Sequence, residues 1–176
     1  PQRSQLRLNT NSAEITTNTD YWGNTAPTST QFTVGNSLLT GGNGQTYVAY
    51  VFAHADQSFG TDSDEAIIKC GSYTGTGNSS TNFINLGFEP QWLMIKNATE
   101  GSTNWIMLDV MRGLPAVDDN IPALSANLSD AESTVGIVKR FATGFELTGN
   151  GTYTNWSGKT FIYMAIRRPH KPPAAG

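Results

Sequence analysis

Apolar and polar residues alternate along this chain over short stretches, and nowhere does an apolar stripe persist at helical spacing. The plainest stretch is residues 46–53, where Tyr47, Val48, Tyr50, Val51 and Phe52 fill both alternating faces. A strand that is apolar on both sides is expected to be covered on both sides. The same reading places strands over residues 66–73, 92–96, 104–110, 144–147 and 160–166. Between them, residues 41–44, 75–78 and 149–151 supply the Gly and Asn that accept the positive φ of hairpin turns. The best helical candidate, residues 121–132, is interrupted by Pro122, so at most a turn or two of helix is expected. The pattern predicts an all-β protein: an antiparallel β-sandwich, jelly-roll or lectin-like in architecture, with little helix.

The apolar pattern also recurs. Residues 30–34 echo 143–147, with Phe32 and Phe145 lying 113 residues apart, and residues 44–52 echo 158–166, with Tyr47 and Phe161 lying 114 apart. Upstream, Leu8, Asn9, Ala13 and Glu14 stand where Ala126, Asn127, Ala131 and Glu132 stand 118 residues later. Residues 1–60 therefore read as the back half of a β unit whose complete copy occupies 61–169, with a Pro-rich tail or linker over 170–176. Two arrangements fit that division. Either the segment is internal to a longer polypeptide, or the half unit packs onto the complete one to finish a sandwich.

With 176 residues the chain is long enough to bury a hydrophobic core without crosslinks, and its single cysteine, Cys70, forms no intrachain disulfide. Charged residues make up 14% of it, against roughly a quarter in an average soluble protein. Uncharged Gly, Asn, Ser and Thr replace the usual Glu, Lys and Arg, which suits strands joined by tight turns. A net charge of −3 gives no reason to expect nucleic-acid binding. The basic cluster of Arg167, Arg168, His170 and Lys171 runs into Pro172 and Pro173 and reads as a solvated tail. No run of about twenty apolar residues is present, so membrane insertion is not expected.

Four phrases, residues 71–77, 86–96, 105–112 and 161–168, occur in an order that resembles a repeated β-sandwich domain of unknown biochemical function. That domain occurs in large structural, tail-fibre-type proteins of marine and other tailed phages. The resemblance covers most of the chain and implies a virion module, often in tandem, with no catalytic residues to carry over. It implies a tail or particle-surface location after assembly in the host cytoplasm. The implied partners are identical chains in a homo-oligomer, most often a trimer in fibres, and other virion proteins. The loop at Asp118, Asp119 and Asn120 departs from the resemblance.

Candidate chemistry is sparse. His54 ends a strand pattern and His170 sits in the tail, neither beside a recognisable nucleophile, so no acyl-transfer device is expected. Asp109, Asp118, Asp119 and Glu132 come from unrelated segments and make no glycosidase pair visible in sequence. Cys70 lies in a strand pattern and reads as a small buried apolar residue. Asp62 and Asp64, and Asp118 and Asp119, cluster the oxygen ligands that Ca²⁺ takes, without EF-hand spacing; no other cofactor is expected. Of four tryptophans, Trp92 and Trp105 fall in strand patterns and read as core. Trp22 and Trp156 lie in Asn- and Gly-rich stretches, where an exposed indole could stack on a sugar ring. The expectation is a non-enzymatic structural module of a tail fibre or surface appendage. A carbohydrate-binding receptor-recognition domain stands second and a capsid decoration protein third.

Overall fold

The computed structural model describes residues 3–52, 66–115, 121–136 and 138–167. Among the described residues nine strands follow residue 67: β1 (Ile68–Thr74), β2 (Asn82–Asn85), β3 (Pro90–Asn97), β4 (Ile106–Asp109), β5 (Ile121–Ser125), β6 (Ser133–Val135), β7 (Val138–Phe141), β8 (Gly144–Leu147) and β9 (Thr160–Arg167). They form a six-stranded sheet in the order β1-β9-β3-β4-β5-β6 and a three-stranded sheet in the order β2-β8-β7. Every pairing is antiparallel. Among the described residues there is no helix.

Strand β9 shows why the sequence folds this way. Phe161, Tyr163 and Ala165 alternate with Ile162, Met164 and Ile166, and the first set is buried while the second is half-buried. Period-two alternation sends one set to the sandwich interior. There it meets Leu93 and Ile95 of β3, and Val138, Phe145 and Leu147 of the smaller sheet. Aromatic rings lock the two sheets together. Phe145 of the smaller sheet meets Tyr73 and Tyr163 of the larger one edge-on at 6.2 and 5.5 Å between ring centroids, and within the larger sheet Tyr73 stacks on Phe161 at 5.1 Å. Gly71, paired with Tyr163 across β1 and β9, leaves room for that ring: a Cβ there would lie 2.6 Å from the tyrosine hydroxyl.

The sandwich bears out the all-β fold, and five expected strands appear as β1, β3, β4, β8 and β9. Two elements depart from the sequence reading. Residues 121–125, the start of the helical candidate, form β5. Pro122 is tolerated there because β4 pairs only with Leu124 and Ser125, so no ladder bond from β4 requires an N–H at 122. The larger departure is the stretch expected to be the best-covered strand. Residues 46–52 belong to no strand, and Val48, Tyr50 and Val51 are 78%, 84% and 74% exposed. Their alternation is correct for a central strand, but among the described residues no strand lies on either side. Trp105 is buried as expected, whereas Trp92 in β3 is only half-buried.

Residues 3–52 are held by turns, one bridge between Gln5 and Ile15, and contacts with the sandwich. The Glu14 amide donates to the Ala98 carbonyl at 2.8 Å, and the Trp105 indole N–H donates to the Arg7 carbonyl at 3.0 Å.

Candidate docking groove

The segment that carries the groove is pinned by Tyr21, its buried aromatic. Its hydroxyl accepts from the Arg7 guanidinium at 3.1 Å, while its carbonyl accepts from the Gly35 amide at 2.8 Å and the Thr40 hydroxyl at 2.9 Å. These bonds fold residues 20–41 into a compact knot. Gly35 has no room for a side chain, since a Cβ would sit 2.0 Å from the Asp20 carbonyl oxygen. Tyr47 is tied to the knot by its hydroxyl, which donates to the Leu38 carbonyl at 2.8 Å and accepts from the Gly42 amide at 3.0 Å. From that anchor residues 48–52 run out over Trp22, Phe32 and Val34.

The result is an open groove of about 560 Å³, walled by Trp22, Phe32, Val34 and Leu39 on one side and by residues 47–52 on the other. None of the described lining residues is charged. Chemically the groove offers apolar and aromatic surface with a few hydroxyls, which suits contact with another apolar surface and gives no basis for holding a phosphate or a metal.

The two candidate sugar-binding tryptophans do not meet. Trp22 is half-buried on the groove wall, and its indole N–H is already committed to the Ser4 carbonyl at 2.9 Å. Trp156 packs against the sandwich core, with the Lys159 ammonium 5.3 Å above its ring. Asp62, Asp64, Asp118 and Asp119, the calcium candidates, lie outside the described residues, as do His54 and His170. Among the described residues no group of three or more His, Cys, Asp or Glu is placed to hold a metal. Asp109 and Glu132 are both engaged by Arg112. Cys70 is half-buried in β1, where burial pushes its thiol up and so disfavours the reactive thiolate.

Sequence reasoning singled out Trp22 but placed the opposite wall of its groove inside a sheet. The family match takes in that groove and the sandwich together, running from residue 2 to residue 169. The chain belongs to the DUF7483 family, a domain of unknown function. No curated protein and no solved structure matches it. The DUF7483 region thus comprises, among its described residues, a nine-stranded sandwich and, ahead of it, an N-terminal segment with an exposed apolar face.

Proposed function

We propose that this DUF7483 domain is a structural module of a bacteriophage virion protein, of the tail-fibre or surface-appendage kind, that works by packing and carries out no reaction. The observation that carries this reading is the exposed, uncharged run of residues 47–52 above an apolar groove. Contiguous apolar surface of this sort is costly to leave in water and ordinarily marks a contact with another protein surface. The low charge of the chain and the ordered phrases that resemble phage structural domains support the same reading. Assembly with identical chains, as a trimer in a fibre, is part of the proposal. Antibodies raised against the purified chain, applied to particles of a phage encoding it, should label the tail or its fibres in electron micrographs. Label on the capsid would favour decoration, and particles without label would overturn a virion role.

A second reading has one specific observation in its favour: Trp22 and the exposed Tyr50 share a groove that an oligosaccharide could enter. If the groove binds host glycan, Trp22→Ala should abolish binding on a glycan array. Trp156→Ala should leave it within about twofold, because that ring lies outside the groove beneath Lys159. Equal loss in both variants, or no binding by the parent chain, removes this reading.

A further inference from the structure

The described parts of residues 3–52 and 121–167 share several backbone pairings and turn hydrogen bonds at a nearly constant separation. The Gln5–Ile15 bridge recurs 118 residues later as the Ala123–Ser133 pair of β5 and β6. The Thr10 amide donates to the Arg7 carbonyl, and 118 residues on the Leu128 amide donates to the Ser125 carbonyl. The Thr28 amide donates to the Gln31 carbonyl; 113 residues on, Phe141 pairs with Gly144 at the tip of the β7–β8 hairpin. At a separation of 114, Thr40 and Gly41 donate to Ser37 as Thr154 and Asn155 donate to Gly151, and Gln45 donates to Gly42 as Lys159 donates to Trp156. Gly44 and Gly158, also 114 apart, take the left-handed conformation at φ 72° and 73°.

The two stretches therefore share these turns and one bridged pair, and they part where residues 25–34 lack the β7–β8 ladder and residues 46–52 lack the neighbours of β9. In the sandwich β9 lies between β1 and β3, and β8 lies beside β2. Residues 3–52 contain no counterpart of β1, β2, β3 or β4. The cost is visible residue by residue: Phe145 is 0% exposed but its counterpart Phe32 is 49%, and Ala165 is 0% but its counterpart Val51 is 74%.

Resting on the reading of the groove as a packing surface, we infer that residues 46–52 are the central strand of a second sandwich. Its occupant is the front half of a neighbouring unit of the same repeat, a β1–β4 set whose β1-type and β3-type strands flank residues 46–52. Tyr47, Ala49 and Val51 then face inward over Phe32 and Val34, as Phe161, Tyr163 and Ala165 face Phe145 and Leu147. A second copy of this chain is not the occupant. Its β1 and β3 are already paired with its own β9, and its β4 with its own β5.

The register gives the test. Residue 3 corresponds to residue 121, so a copy of residues 66–120 placed directly before residue 3 reproduces the junction of the complete unit. In hydrogen exchange, amides 47–51 should be protected at least ~100-fold more in this extended chain than in the original, independently of protein concentration. Amides of β9 should stay protected in both. In the extended chain Val51→Asp should lower Tm by about 10 °C, while in the original chain it should shift Tm by no more than about 1 °C. Unprotected amides 47–51 beside a protected β9, or failure of the extended chain to fold, overturns the inference. So does concentration-dependent protection of these amides in the original chain, which would make a second copy the occupant. None of these results bears on where antibodies label the particle, so the two proposals fail separately.

Discussion

Asn155 shows how one buried amide can organise several turns. It is fully buried, accepts from the Thr76 amide at 3.0 Å, and donates to the Gly77 and Gly149 carbonyls at 3.2 and 2.9 Å. Asn155→Ala would strip the buried Gly77 carbonyl and the part-buried Thr76 amide of a partner and should cost about 3 kcal/mol in urea unfolding. Lys96 is a second buried polar residue, with its ammonium held by the Asn97 carbonyl at 2.7 Å and the Thr103 hydroxyl at 2.9 Å. Burial disfavours its charge and brings its pKa down to about 8. The sign of the effect follows directly. Below pH 8 both folded and unfolded chains carry the proton and the burial penalty is felt in full. As pH rises from 8 towards the unfolded value, the unfolded chain keeps a proton that the folded chain has shed, so stability rises. The stability of Lys96→Met relative to the parent should therefore fall by up to about 3 kcal/mol between pH 7 and pH 10, followed by urea unfolding at each pH. A difference that is flat across that range would show that Lys96 is not desolvated.

At the scale of elements, matched residues in unmatched surroundings make a direct comparison. Phe145→Ala empties a position at the centre of the sandwich and should cost about 3–5 kcal/mol, whereas Phe32→Ala, at the corresponding but half-exposed position, should change stability by less than about 0.5 kcal/mol. Chemical denaturation of both variants checks the pair. The same contrast explains what could be read from the sequence. Strands β3 and β9, of eight residues each, were legible because long runs of large apolar residues mark a pleated surface with one face inside. The short strands β2, β6 and β7, of four, three and four residues, contain Asn82, Asn85, Ser133, Thr134, Lys139 and Arg140, and carry too few apolar positions to stand out. Residues 46–52 were read correctly as a pattern and wrongly as an environment. Strand propensity records fitness for a partly buried sheet, and it is silent on whether the neighbouring strands are there. For that reason Trp22 could be picked out in its Asn- and Gly-rich setting while the wall opposite it could not.

At the scale of the molecule, six strands against three give the sandwich one broad and one narrow layer, closed by the edge-on contacts of Phe145 with Tyr73 and Tyr163. The outer edge of β1 is an open edge of the large sheet, and its Lys69 is turned aside to donate to the Asn85 and Leu86 carbonyls at 3.2 and 3.4 Å. A pinned lysine on an edge strand discourages sheet-to-sheet aggregation. The pairing of β1 with β9 has a mechanical side. Ile68 lies opposite Ile166, and the Arg167 amide donates to the Ile67 carbonyl at 2.8 Å, so the polypeptide enters and leaves the sandwich at one corner. Tension between those two points pulls across the ladder at its last rung. The rungs then part in succession like the teeth of a zip, and the module yields to a gentle pull, lengthening without first breaking all its rungs at once.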